Sequence, residues 1–273
     1  DGLDNDCDGA IDEDAWVPLS DPLVLASAGG DVHSPILAAG SSSWAIAWLG
    51  DHTAGACGLT VGAVTPSATG PGVVNTTSGC VDETPVTDVA LVALEEGFAA
   101  LLAVSDSSGS RLTVQRLDDG GSPTGSPATL LSFPATVTDL VAARASSGPL
   151  AALFRSDPGG DYELYMLTFT LPVTIPHAEG DVTRVTDSEG FSGHPSMVGL
   201  EGGFGLAWED DRDGDKEIYF TMVDDHAVST MTPRRITAAP GASESASLAS
   251  APGGGFGLAW MDSRAGGYDM LFT

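Results

Sequence analysis

Short apolar runs alternate with polar, glycine-rich turns along the whole chain, and this pattern repeats. The clearest copies are 202–208 and 254–260, which share the sequence Gly-Gly-Phe-Gly-Leu-Ala-Trp. Weaker copies end at Trp48, Leu102 and Phe154, so the pattern recurs at intervals of about 53 residues. Such regular self-similarity indicates one structural unit that occurs five times.

Each unit is predicted to form four short β-strands. In the fourth unit the apolar or alternating runs are 195–198, 204–208, 217–223 and 233–237. Turn residues separate these runs, which is the pattern of a propeller blade. Small residues in the second strand, such as Gly205 and Ala207, would let neighbouring sheets approach closely. We therefore predict an all-β chain that forms a single five-bladed β-propeller of four-stranded antiparallel blades.

The domain prediction places an acidic metal-binding loop at 1–15 and the propeller at 16–273. The fifth unit stops after its third strand, and the segment 21–26 has the character of a fourth strand. We expect this N-terminal strand to complete the last blade and close the ring, because closure removes exposed sheet edges. The predicted units are about 31–81, 82–136, 137–190, 191–241, and 242–273 together with 16–30.

The composition is strongly acidic, with 38 Asp and Glu against 10 Lys and Arg and a formal net charge of −28. A surface of this sign repels phosphate backbones, so no nucleic-acid partner is expected. No apolar run has the length of a membrane span, so no membrane insertion is expected. The three cysteines allow two interpretations. Either Cys57 and Cys80 form a disulfide within one unit, with Cys7 unpaired or paired outside this chain, or all three are free.

The N-terminal stretch has the spacing of a calcium loop. Oxygens at positions 1, 3 and 5 of a tight loop converge on a hard cation, and Gly at position 6 permits the turn. The candidate metal ligands are Asp4, Asp6, Asp8, the backbone carbonyl of Ala10, Asp12 and Asp14. Position 12 is Ala15, so the bidentate Glu of an EF-hand is missing, and Glu13 or Asp14 would replace it. The other interpretation is an acidic linker without metal.

This stretch resembles the MopE-type metal-binding motif of secreted and cell-surface bacterial proteins, and it is similar to thrombospondin type 3 calcium repeats. The resemblance covers residues 1–14. It implies calcium as the cofactor and an extracellular setting. We therefore expect a propeller module of a larger secreted or cell-surface bacterial protein.

The turn after the second strand of the fourth unit also allows two interpretations. Its acidic residues have a spacing compatible with a metal site: Glu209, Asp211, Asp213 and Glu217. The fifth unit lacks most of these carboxylates but shares three positions with the fourth: Asp210, Arg212 and Glu217 match Asp262, Arg264 and Asp269. This favours a hydrogen-bond network with Arg as the fork. The pattern Trp-x-Asp-x-Arg-x-Gly resembles the blade hairpins of TolB-like secreted propellers, which implies the fold rather than an activity.

No catalytic motif stands out. The histidines form no compact metal pair, and the nucleophile motif G-x-S-x-G is absent from the sequence. His33 and His194 lie at the start of predicted first strands, near one mouth of the channel, or they are ordinary surface histidines.

We therefore predict that the chain is not an enzyme but a binding or scaffold module with an unknown protein or glycan ligand. One alternative is a lectin-like propeller, marked by exposed aromatic residues repeated in the blades. The other is a glycoside hydrolase, marked by two or three carboxylates that converge in the channel.

Overall fold

The computed structural model describes residues 32–50, 58–65, 72–79, 86–146, 148–251 and 254–273. These residues form five antiparallel sheets, four of four strands and one of three, with a single 3₁₀ turn, Glu179–Asp181. The sheets are the blades of a five-bladed β-propeller. The predicted fold class is confirmed.

The strands follow one another within each blade from the channel outward. Blade 1 contains β1 (Val32–Ala39), β2 (Trp44–Gly50), β3 (Leu59–Thr65) and β4 (Gly72–Gly79). Blade 2 contains β5 (Asp88–Ala93), β6 (Phe98–Asp106), β7 (Gly109–Leu117) and β8 (Ala128–Phe133). Blade 3 contains β9 (Thr138–Arg144), β10 (Leu150–Ser156), β11 (Glu163–Phe169) and β12 (Thr183–Arg184). Blade 4 contains β13 (Ser192–Leu200), β14 (Gly203–Asp210), β15 (Glu217–Asp224) and β16 (Arg234–Arg235). Blade 5 contains β17 (Ser243–Ser250), β18 (Phe256–Asp262) and β19 (Asp269–Phe272).

The first strands of consecutive blades lie against one another. Strand β1 contacts β5, β5 contacts β9, β9 contacts β13, and β13 contacts β17. These strands therefore surround the central axis, and all of them run in the same direction along it. Their N-terminal ends meet at one mouth of the channel, and their C-terminal ends meet at the opposite mouth.

The hydrophobic core lies between neighbouring sheets. The largest fully buried side chains include Phe98, Phe204 and Trp208. Glycine makes room for the ring of the next blade, as predicted: a Cβ added to Gly205 would lie 2.7 Å from the ring of Phe256. A side chain at this position would force the two sheets apart, so the small residues of the repeat set the spacing between blades.

The network predicted for the turns of blades 4 and 5 is present. Arg212 donates hydrogen bonds to both carboxylate oxygens of Asp210, whose second oxygen also accepts from Trp208 Nε1 at 3.0 Å and Ser192 Oγ at 2.9 Å. Blade 5 repeats the arrangement with Arg264, Asp262, Trp260 and Ser243. Each network ties the first strand of its blade to the second strand and to the turn that follows it, at the channel mouth.

Glu217 takes a different place from the one predicted. It is paired with Asp210 on the neighbouring strand but does not join the Arg212 fork. Instead it accepts hydrogen bonds from Arg235 and Thr237 on the outer side of blade 4. Blade 3 uses the same device, in which Glu163 accepts from Arg184 and Thr186. The buried Glu at the start of the third strand therefore anchors the short outer strand of its blade.

The predicted closing strand, 21–26, lies outside the described residues, and so do the acidic loop and both ends of the proposed disulfide. Within the ranges that the structure describes, no helix is long and apolar enough to cross a membrane.

We expect Asp210→Ala to lower the free energy of unfolding by about 3–5 kcal/mol, because it leaves Arg212 and the Trp208 indole without their buried acceptor. Chemical denaturation measures this change. Asp161→Ala, at an exposed aspartate of blade 3, is the matched control and should stay within about 0.5 kcal/mol of the parent protein. Equal stabilities of the two variants would contradict a structural role for the network.

Candidate active site at one mouth of the channel

The N-terminal ends of the first strands share an unusual backbone. Four non-glycine residues here have positive φ: Ser34 at 52°, Asp139 at 54°, His194 at 45° and Ser245 at 55°. Each lies at a break in the pairing between the first and second strands of its blade. Repeated left-handed residues of this kind cost conformational energy and are common at functional sites. Blade 2 has Asp88 at the corresponding place.

Carboxylates at this mouth join each blade to the next. Asp88 of blade 2 accepts a hydrogen bond from the backbone N–H of Leu140 in blade 3 at 2.9 Å. Asp139 of blade 3 accepts from the N–H of His194 in blade 4 at 3.1 Å. Glu209 of blade 4 accepts from the N–H of Ser245 in blade 5 at 2.6 Å. The acidic side chains therefore converge at the mouth because they bridge consecutive blades.

Glu209 is buried and lies among charged partners. Its Oε2 atom is 3.0 Å from His194 Nδ1 and 3.2 Å from Lys216 Nζ. Both contacts are ion pairs, because this oxygen has no hydrogen-bond partner of good geometry among the described residues. Lys216 also contacts Glu244 Oε1 at 2.6 Å, and the hydroxyl of Tyr268 donates to the other oxygen of Glu244. We call Asp88, Asp139, His194, Glu209, Lys216 and Glu244 the mouth cluster.

The pKa values of two carboxyl groups in the mouth cluster, Asp88 and Glu209, are shifted in opposite directions. Burial raises the pKa of Asp88 above its usual value, and this effect exceeds that of the hydrogen bonds from Leu140 and Val89. The nearby charge of Asp139 raises it further. Burial also acts to raise the pKa of Glu209, but His194 and the backbone N–H of Ser245 together bring it below its usual value.

Asp88 and Asp139 differ in whether the repeat places a cation beside them. Asp88 is paired in register with Ala103, and the corresponding residue of blade 3 is Arg155, paired with Thr138. Arg155 Nε lies 3.2 Å from Asp139 Oδ2, so the two side chains form an ion pair. Asp88 has an alanine where Asp139 has a cation, so its charge is less well stabilised.

Aromatic rings flank the mouth cluster on the side of blades 3 to 5. The guanidinium carbon of Arg155 lies 4.9 Å from the ring centroid of Tyr162 and 5.1 Å from that of Phe191. Lys216 Nζ lies 5.3 Å from the centroid of Phe191. Lys216 of the cluster and the adjacent Arg155 therefore both rest on aromatic faces, which limits their motion.

The structure places only some of the residues singled out from the sequence. His194 belongs to the mouth cluster. His33 precedes Ser34, the residue of blade 1 equivalent to His194, and its Nδ1 is 3.1 Å from Ser34 Oγ. The acidic residues of the blade 4 turn do not gather around one point. Asp211 accepts from the N–H of Phe191, and Asp213 accepts from the Tyr219 hydroxyl.

Other predicted residues lie outside the described part of the chain. These are the metal ligands Asp4, Asp6, Asp8, Ala10, Asp12 and Asp14, and the cysteines Cys57 and Cys80. In the described ranges, one group of side chains has the proximity of a metal site, Asp224, Asp225 and His226 at the opposite end of blade 4. Exposed acidic groups of this kind are common without a metal.

Sequence reasoning missed Asp88, Asp139, Lys216 and Glu244. A signal was available, because residues at the start of each first strand and the end of each second strand occupy equivalent places in the repeat. An alignment of the five units at the end of the second strand would have shown a charged residue in blades 3 and 4 alone. The aligned residues are Leu49, Ala103, Arg155, Glu209 and Met261.

A cleft lies elsewhere in the ring. It has a volume of about 550 Å³ and opens between blades 2 and 3 at the opposite mouth, where Arg144 pairs with the exposed Glu95 at 2.7 Å. The chemistry favours the mouth cluster over this cleft, because carboxyl groups of opposite pKa shift meet there.

No protein-family model matches the chain, and no curated protein matches it. Solved structures do match in fold. An α-L-arabinofuranosidase from Fusarium graminearum with an iminosugar inhibitor has 10% sequence identity and a TM-score of 0.56 over 84% of this chain and 70% of that chain. A thermostable family-43 glycoside hydrolase has 10% identity and a TM-score of 0.51 over 89% of both chains.

An endo-arabinase from Bacteroides thetaiotaomicron has 12% identity and a TM-score of 0.50 over 88% of this chain and 92% of that chain. All three solved structures are glycoside hydrolases. At these identities the likeness shows the fold alone.

The comparison corrects two predictions made from the sequence. We predicted a non-enzymatic binding or scaffold module and no enzyme, whereas the solved structures that share this ring are glycoside hydrolases. Both predictions are wrong. Carboxyl groups of three consecutive blades do gather at one mouth of the channel, in the mouth cluster. Sequence reasoning failed here because the converging residues lie in different blades and form no local motif.

The ion pair with Glu209 raises the pKa of His194 above its usual value of about 6.5. The stabilisation from this pair is complete below the unfolded pKa and is lost as the pH rises through the raised folded pKa. We expect NMR titration of the His194 imidazole to give a midpoint above 6.5, and Glu209→Gln to lower it. Glu201→Gln, an exposed control at the opposite mouth, should leave it unchanged. A midpoint insensitive to Glu209→Gln would contradict the pair.

Proposed function

We propose that this chain is a glycoside hydrolase with its active site at the mouth cluster. The observation that carries the proposal is the pair Asp88 and Asp139. These two aspartates stand at equivalent places in neighbouring blades, and burial raises the pKa of one while an arginine stabilises the charge of the other. Glycosidases need this combination of a protonated acid and an ionised carboxylate on either side of the scissile bond.

In the proposed reaction, Asp88 is the general acid. It donates its proton to the glycosidic oxygen as the bond from that oxygen to the anomeric carbon breaks, and the leaving sugar departs as an alcohol. In a single displacement, Asp139 accepts a proton from the water that supplies the new oxygen on the anomeric carbon. In a double displacement, Asp139 instead attacks the anomeric carbon and forms a glycosyl-enzyme, and Asp88, now a carboxylate, accepts the proton from the water that releases the sugar from Asp139. Glu209 is a positioning residue, because it is buried and acts through His194 and Lys216.

The names of the three solved structures suggest the first substrates to test. Arabinase and arabinofuranosidase are the activities of proteins with this ring, so arabinose-containing glycans come first in a panel of plant and bacterial polysaccharides.

We expect Asp88→Asn and Asp139→Asn each to lower kcat/KM for a hydrolysed glycan by at least about 100-fold, the usual loss when a general acid or base is removed. Reducing-sugar release measures the rate. Glu201→Gln is the control for a carboxylate outside the site. Because Asp88 must be protonated, the rate should fall as the pH rises through its raised pKa. Full activity in folded Asp88→Asn protein would rule out the assigned role.

We also propose that calcium binds the N-terminal loop and that the chain works outside the cell, with Cys57 and Cys80 as a disulfide. Support comes from the spacing of Asp4, Asp6 and Asp8 and from the acidic composition. Calorimetric titration of the full chain with calcium should give binding that the double change Asp6→Ala and Asp8→Ala abolishes. Retention of calcium by that variant would place the ion elsewhere.

A further inference from the structure

Three residues at the mouth occupy one position of the repeat in consecutive blades. Tyr162, Lys216 and Tyr268 each immediately precede the third strand of their blade, and those strands begin opposite the last residue of the second strand. They therefore form an arc on the rim of the mouth along blades 3, 4 and 5. The outer two are large exposed aromatic residues, Tyr162 at 45% and Tyr268 at 54% exposure.

Each of these tyrosines is fixed by a member of the mouth cluster or by its partner. Tyr162 rests on Arg155, which pairs with Asp139, and its ring centroid lies 6.2 Å from that of Phe191. The hydroxyl of Tyr268 donates a hydrogen bond to Glu244, which contacts Lys216. The rings are thus held beside the carboxylates while a large part of each remains open to solvent.

Rings placed in this way suit a sugar. Pyranose and furanose rings carry C–H groups on their faces and hydroxyl groups on their edges. An exposed aromatic face packs against the C–H groups, and fixed carboxylates accept hydrogen bonds from the hydroxyl groups. The half-exposed His194 adds a further polar group between the two tyrosines.

The charges of the mouth favour an uncharged ligand. The cluster holds four carboxyl groups, Asp88, Asp139, Glu209 and Glu244, against the cation Lys216 and the adjacent cation Arg155, while the imidazole of His194 is paired with Glu209. Both cations already contact carboxylates, Arg155 at 3.2 Å and Lys216 at 2.6 and 3.2 Å. A uronate or sulfate would have to compete for these cations and would face the remaining negative charge.

We propose that a neutral glycan lies along the arc of blades 3 to 5, with Tyr162 and Tyr268 as specificity-determining platforms on either side of the mouth cluster. Neutral sugars are bound and anionic sugars are rejected. The inference rests on the proposed function for the location of the site, but it concerns binding, and its test does not require hydrolysis.

The test uses the full chain and its Asp88→Asn variant, which keeps an oligosaccharide intact during the measurement. Calorimetry compares arabinohexaose and xylohexaose with hexagalacturonate at low and physiological salt. We expect at least one neutral hexasaccharide to bind and the uronate not to bind. Tyr162→Ala and Tyr268→Ala should each weaken binding about tenfold, a loss typical of an aromatic contact with its buried area.

Two controls separate ring packing from other effects. Tyr268→Phe keeps the ring and removes the hydrogen bond to Glu244, so it should bind better than Tyr268→Ala. Ile175→Ala removes an exposed apolar side chain away from the mouth and should bind like the parent protein.

The outcomes separate the two proposals. Neutral binding that depends on the tyrosines, without hydrolysis by the parent protein, supports the platforms and overturns the hydrolase. Hydrolysis with binding unaffected by both alanine variants does the reverse. Equal or tighter binding of hexagalacturonate, or no binding of either neutral hexasaccharide, overturns the inference.

Discussion

The structure depends on buried carboxylates that are neutralised by cations from the same blade. Five acidic side chains are fully buried among the described residues: Glu163, Glu209, Asp210, Glu217 and Asp262. A buried carboxylate without a partner is strongly destabilising, so each of these must have a cation or several donors. Four arginines meet this need outside the mouth cluster, Arg184, Arg212, Arg235 and Arg264. In a chain with 10 Lys and Arg in total, the placement of positive charge is therefore largely structural.

The same constraint explains the chemistry of the mouth. Where the partner is an arginine fork, as at Asp262, hydrogen bonds from the arginine hold the pKa of the carboxyl group far below its usual range. Where the repeat has an alanine, as at Ala103 beside Asp88, the carboxyl group keeps its backbone donors but has no cation among the described residues, and burial raises its pKa. The direction of the pKa shift of a buried carboxyl group in this ring thus depends on whether the repeat supplies a cation beside it.

The fold could be predicted from the sequence because local and repeated features determine it. The Phe-Gly-Leu-Ala-Trp run and the Trp-x-Asp-x-Arg turn recur in the fourth and fifth units, and their contacts occur within one blade or between adjacent blades. The arginine forks on Asp210 and Asp262 were predicted for this reason. Glu217 was misplaced because its partner, Arg235, lies on an outer strand of two residues, too short to show a pattern.

The mouth cluster could not be read in the same way, since it is defined by how the blades differ. Asp88, Asp139 and Glu209 belong to three blades and meet only after the first strands gather around the axis. Each accepts a backbone N–H from the following blade, a contact that any short acceptor could make and that leaves no motif.

A symmetric ring also has no preferred side, whereas a site for a chain-like ligand needs one. Here the asymmetry comes from one position near the end of the second strand. It is apolar in blades 1 and 2, with Leu49 and Ala103, and charged in blades 3 and 4, with Arg155 and Glu209. These positions are equivalent in the fold and unequal in charge. Hence the polar and aromatic groups collect on one arc of the rim. The repeated residues form the scaffold, and the residues that differ between blades form the proposed site.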